Sequence, residues 1–151
     1  MIFVAERSIY WGNRIEGSNV VGVNDPAYVW HLPEGADGGM FDSYILLQNP
    51  GGNVTTVDVE LFFEGYGKVT FPADLRPVLP AYARRTLDMS YWLGVLEQRE
   101  GVPAKTFVGR SFSTRVKVFQ GDPIVVEHSL YWDFKPGTLW RSGGSSFGIP
   151  Q

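Results

Sequence analysis

Two near-copies of one eight-residue segment stand at the two ends of this chain. Residues 4–11 read Val-Ala-Glu-Arg-Ser-Ile-Tyr-Trp and residues 125–132 read Val-Val-Glu-His-Ser-Leu-Tyr-Trp, identical at five positions. Each copy passes through a loop into a second echo, residues 17–23 against residues 144–149. The spacing is 121 residues for the first element and 126 for the second, so the later loop is five residues longer. A period this long fits whole modules in tandem rather than a short solenoid repeat. The chain 1–151 is therefore expected to be a single β-sandwich module in which 2–23 duplicates the 124–149 segment, as an inter-module or swapped strand.

The rest of the chain repeats one local pattern. Short segments rich in Val, Ile, Phe, Tyr, Thr and Trp alternate with turn residues. Strands are expected near 2–11, 19–23, 27–32, 41–48, 53–64, 67–71, 82–88, 107–119, 123–132 and, more weakly marked, 138–148. Asn49-Pro50-Gly51-Gly52-Asn53 and Gln120-Gly121-Asp122-Pro123 break the chain between strands, because Pro fixes φ and Gly supplies positive φ. Val57, Val59 and Leu61 alternate with Thr56, Asp58 and Glu60, the pattern of a strand with one face buried. At most one short helix is expected, about 91–99, ended by Gly101 and Pro103. Many short antiparallel strands argue for an all-β fold, an Ig-like or jelly-roll-like β-sandwich.

Composition excludes several functions. The net charge is −3 and no basic run exceeds the pair Arg84-Arg85, so no nucleic-acid partner is expected. No apolar run approaches the roughly 20 residues needed to span a bilayer, so no membrane insertion is expected. Cysteine is absent, which removes disulfides and thiolate metal sites together. The start of the chain has neither the charged nor the apolar region of a signal peptide, so any export signal is expected outside it.

Candidate site residues are few. Three Tyr-Trp dipeptides occur, and neighbours on a strand point to opposite faces, so one ring of each pair is available outside a core. Tyr10, Trp11, Trp30, Tyr131 and Trp132 are the candidate binding residues, as an aromatic platform for sugar rings or as anchors at a module junction. In the late copy Val126, His128, Leu130 and Trp132 share one face, and Val125, Glu127, Ser129 and Tyr131 the other; neither is cleanly polar, which points to burial on both sides. Glu6, Glu34, Asp42, Asn49 and Glu127 mark the repeated motifs, with Glu34 and Asp42 expected to bond loop backbone or arginine. His31 and His128 are the only histidines and have no metal-ligand spacing, so neither a metal nor a cofactor is expected. Asp37-Gly38-Gly39 with Asp42 offers two carboxylates to a calcium ion but lacks the dense oxygen ligands of a strong calcium loop. No Gly-x-Ser-x-Gly elbow is present and no catalytic residue is assigned.

The stretch Val29-Trp30-His31-Leu32-Pro33-Glu34-Gly35-Ala36, followed after a Gly-rich gap by Phe41-Asp42-Ser43-Tyr44-Ile45-Leu46-Leu47-Gln48-Asn49-Pro50-Gly51, resembles a repeat family of bacterial, actinobacteria-type surface proteins. Residues 123–132 resemble that family's closing strand, with His128 where Arg is usual and Arg7 keeping the common form. The middle of the chain, about 72–110, departs from the pattern. The resemblance implies an extracellular or cell-surface β-sandwich repeat, with no catalytic residues to carry over.

These readings converge on a non-catalytic structural or adhesive module acting as spacer, stalk or strand-exchanging fibre subunit. Its expected partners are neighbouring copies or modules of itself. The alternative is a carbohydrate-binding module using exposed Trp and Tyr, with surface polysaccharide as partner. Where residues 2–11 pair decides between a passive spacer and a self-assembling one.

Overall fold

The computed structural model describes residues 6–11, 16–132 and 142–151, and nothing is said of the side chains of Trp11 and Glu16. From the N-terminus come β1 (Glu6–Trp11), β2 (Glu16–Val21), β3 (Val29–Leu32), β4 (Phe41–Asn49), β5 (Thr55–Phe63) and β6 (Gly67–Thr70). After a 3-10 turn at Ala73–Leu75 follow β7 (Val78–Leu79), β8 (Ala83–Asp88) and the helix α1 (Met89–Glu100). The chain closes with β9 (Phe112–Gln120), β10 (Val125–Trp132), β11 (Ser142–Phe147) and β12 (Ile149–Pro150). One antiparallel sheet has the order β11-β10-β4-β8; the other has the order β12-β3-β9-β5-β6, with β7 beside β5. The fold is an all-β antiparallel sandwich with one helix.

The alternation expected at 55–62 builds the core. Thr55, Val57, Val59, Leu61 and Phe63 are buried along β5, while Glu60 and Asp58 face out and pair with Lys68 and Arg115, and with Arg76. Against this face lie Ile45 and Leu47 of β4, Leu87 of β8 and Val126 of β10, all fully buried. Each such side chain contributes roughly 1.5–3 kcal/mol relative to leaving it in water. The helix closes one end with Met89, Leu93 and Leu96. Asp88 caps its first turn by accepting from the Ser90 amide at 3.0 Å, and Gly101 at φ 68° ends it.

Two boundaries differ notably from the sequence reading. Residues 107–111, expected as strand, form a loop, because Glu97 of α1 accepts hydrogen bonds from the amides of Lys105 (2.9 Å), Phe107 (2.7 Å) and Val108 (3.4 Å). Phe107 plugs the core from that loop and stacks on Phe63 with ring centroids 4.6 Å apart. The strand expected at 19–23 runs instead from Glu16 to Val21, since it pairs along the whole of β1. Residues 2–5 of the first expected strand and 138–141 of the last lie outside the described residues.

Candidate interface of the duplicated hairpin

The strand β1 pairs with β2, and the two make a sheet of their own. The register sets Glu6 opposite Val21 and Trp11 opposite Glu16. In the late copy Glu127 stands opposite Phe147 and Trp132 opposite Ser142. Both pairs are related by the same offsets of 121 and 126, so what is duplicated is a complete β-hairpin with an identical register. The extra five residues fall in the loop, where they leave the register untouched.

The two hairpins also bury the same face. In β10 the side chains of Val126 and His128 turn into the sandwich and are buried, with Leu130 half-buried beyond them. In β1 the equivalents Arg7 and Ile9 are half-buried while Glu6, Ser8 and Tyr10 are exposed; in β2, Ser18 and Val20 are half-buried. The backbone of β2 runs closest to β11, and side chains of the inner face reach the outer face of β10, β4 and β8. Glu127 and Ser129, on that outer face, are 7% and 3% exposed. The two-sided burial anticipated for β10 is thus provided by the first hairpin, and β10 is the middle layer of three.

Arg7 forms an ion pair with the buried Glu127. Burial, followed by the charge of Arg84, holds the Arg7 guanidinium below its usual range. At the edge, the Ser145 amide of β11 donates to Ser18 Oγ at 3.2 Å, and Ser145 Oγ is 2.8 Å from Ser129 Oγ. A cavity of about 270 Å³ lies on one side of Arg7, walled by Val20, Leu46, Gln48 and Phe147. One of about 430 Å³ lies on the other, walled by Tyr44, Thr86 and Tyr131. Arg84 borders both. Contact between hairpin and sheet is therefore loose and carried by a few polar anchors.

The candidate residues separate accordingly. Tyr10 is 62% exposed, on the outward face of β1, with its ring over Gly17, where a Cβ would come within 2.9 Å. Trp11 lies in β1, but its side chain is outside the described residues. Tyr131 is half-buried and meets Tyr44 edge-on at 6.0 Å. Trp30 is no platform: it is fully buried, and its indole N–H donates to the Ala27 and Ile124 carbonyls at 3.2 and 2.9 Å. Period-two alternation puts it in the core with Leu32, which its aromatic character alone does not reveal.

Of the motif residues, Glu127 joins the hairpin interface and Glu6 borders its smaller cavity. Asn49 is a buried loop staple. Its Nδ2 donates to the Asn53, Leu79 and Pro80 carbonyls, and its Oδ1 accepts from the Gly51 amide. Asp42 stands opposite Tyr131 on β4. Glu34 is exposed and bonds neither arginine nor loop amide among the described residues. Asp37 is 2% exposed and accepts from the Ser43 amide at 3.1 Å; burial pushes its carboxyl up to about 6. No cluster of three metal-ligating side chains exists among the described residues.

Sequence reasoning missed two features. His128 is buried with Nε2 2.8 Å from Ser43 Oγ, and burial drives its pKa down to about 4. It also borders a cleft of about 250 Å³ between β3 and the late hairpin, together with Glu34, Trp132 and Ser146. The strand pattern placed His128 and Trp132 on one face, but nothing in the sequence placed Glu34 opposite them.

No family model matches the sequence, and neither does any curated protein. Among solved structures the chain is similar to the crystal structure of Thermotoga maritima 1070, with a TM-score of 0.61 and 14% identity over 84% of this chain and 97% of that one. Its likeness to the Anabaena sensory rhodopsin transducer has a TM-score of 0.49 and 17% identity, over 70% of this chain and 97% of that one. At 14% identity the likeness to the Thermotoga maritima structure shows the fold alone.

Proposed function

We propose that the chain is a non-catalytic structural module that joins to further copies of itself through its first hairpin, as spacer or fibre subunit of a bacterial surface array. One observation carries this reading. The first hairpin repeats the last one in register and buried face, yet among the described residues it shares no backbone ladder with the sandwich. An isolated two-stranded hairpin is marginal in water, so it needs a surface to cover. Every copy of the chain presents the same surface, the outer face of β10 and β4, so exchange between copies replaces each contact with an identical one. High local concentration, as in an array, favours that exchange. The surface location rests on the family resemblance of residues 29–51 and 123–132.

The Arg7–Glu127 pair gives the test. Arg7→Glu places two carboxylates together, and Glu127→Arg places two guanidinium groups together, so neither variant docks its hairpin on its own kind. An equimolar mixture offers two correct pairings: the Glu127→Arg chain docks its native Arg7 on the native Glu127 of the Arg7→Glu chain, and the Arg7→Glu hairpin meets the Glu127→Arg face with the signs reversed. Sedimentation should show each variant monomeric and the mixture associated. A mixture that sediments like its components contradicts exchange.

A further inference from the structure

Along the inner face of β10 the side chains run from sealed core to open space: Val126 is fully buried, His128 is 7% exposed, and Leu130 and Trp132 are half-buried. The opposing strand β3 ends at Leu32, and the chain bulges at Pro33 and Glu34 before rejoining β9, where the Phe112 amide donates to the Gly35 carbonyl at 2.8 Å; the cleft of about 250 Å³ lies between this stretch and the late hairpin. That volume lies below the roughly 300–1,000 Å³ of sites for drug-sized ligands, and suits one ring. Its lining is mixed. Leu32, Pro33 and Leu130 make an apolar floor, while Glu34, His128 and Ser146 bring polar atoms to it.

His128 is the informative residue. Nε2 is 2.8 Å from Ser43 Oγ, and the ring borders the cleft. A neutral ring at the cleft offers either a donor or an acceptor according to its tautomer. Glu34 brings an exposed carboxylate that pairs with no arginine among the described residues. Trp132 supplies an indole, whose electron-rich face attracts the positive edge of a C–H-lined ring. An apolar wall for ring C–H groups, a carboxylate acceptor for hydroxyls and a neutral imidazole are complementary to one ligand class.

We propose that this cleft binds a single neutral sugar ring, free or at the end of a glycan, with Trp132 against its C–H face and Glu34 and His128 on its hydroxyls. The site lies on the inner side of β10, opposite the face that the first hairpin covers. It stands or falls separately from the exchange of that hairpin.

The test is a spectral titration of the full, isotope-labelled chain with glucose, galactose, mannose and N-acetylglucosamine, each to high millimolar concentration. At least one sugar should shift the Trp132 indole and His128 ring signals. Trp132→Ala should weaken binding at least about tenfold, equivalent to about 1.4 kcal/mol. Tyr82→Ala, which removes an 80% exposed ring outside the cleft, should leave binding unchanged. Should Trp132→Ala fail to fold, Glu34→Ala at the exposed rim serves instead and should weaken binding severalfold. Signals unmoved by all four sugars, or shifts that persist undiminished in the variants, overturn the assignment.

Discussion

Ser43 sits between two groups whose titrations oppose each other, and this yields a quantitative prediction. Its amide donates to Asp37, and its hydroxyl meets Nε2 of His128. Burial raises Asp37 to about 6 and lowers His128 to about 4. On acidification from about pH 6.5 to about pH 4, the unfolded chain protonates its histidine while the folded chain does not, so stability falls. At about 1.36 kcal/mol per unit the loss approaches about 3 kcal/mol. Asp37 has the opposite sign. Its folded form takes up a proton near pH 6 and the unfolded form only near pH 4, so stability rises over the same window. The full gain is about 3 kcal/mol, reduced to about 2 kcal/mol because the cover over this surface loop is thin and solvent screens part of the penalty.

The two contributions nearly cancel in the wild type. Asp37→Asn keeps an oxygen for the Ser43 amide but removes the titration. It should be about 2 kcal/mol more stable than wild type near neutrality, with the advantage gone near pH 4. His128→Gln should show the reverse slope relative to wild type, gaining about 3 kcal/mol over the same descent. Urea unfolding at a series of pH values reads both, and differences against wild type remove the background from other carboxylates. Curves for Asp37→Asn and wild type that run parallel from pH 6.5 to pH 4 refute the reasoning.

Two further perturbations bear on how the sandwich holds its loops. Glu97→Ala removes the acceptor of three loop amides, one of them buried at Phe107, and should cost about 2–4 kcal/mol in denaturant unfolding; Glu97→Gln, which keeps a carbonyl oxygen, should cost about 1 kcal/mol. Gly121 has φ +112°, and a Cβ there would stand 2.5 Å from the Val54 carbonyl oxygen, so Gly121→Ala should lower stability by about 2 kcal/mol or more without altering the other strands.

Much of the architecture is legible in the sequence because it rests on local rules. The alternation from Thr55 to Phe62 sets the core face of β5, and the turn residues at 49–53 and 120–123 separate the strands that flank them. The hairpin register was also present, since offsets of 121 and 126 describe two strands moved as a unit with an insertion confined to the loop. Other features depend on contacts that no local pattern records. Phe107-Val108 carries a strand-like apolar signal, but the carboxylate that turns it into a loop lies on a helix ten residues away. Trp30 drew attention as an aromatic, although its position between outward-facing Val29 and His31 already assigned it to the core. Glu34 and Trp132 border one cleft only because β3 and β10, distant in sequence, end beside each other in the sandwich.

The central claim is that the first hairpin docks where an identical hairpin from another copy also docks. Ser18 of β2 and Ser145 of β11 touch across that interface, and the chain has no cysteine of its own. A Ser18→Cys, Ser145→Cys variant treated with a short thiol cross-linker therefore reports this contact alone. Exchange predicts dimers and longer ladders that grow with protein concentration, at the expense of internally linked monomer. Internally linked monomer as the sole product at every concentration contradicts it and leaves the hairpin a fixed part of its own module.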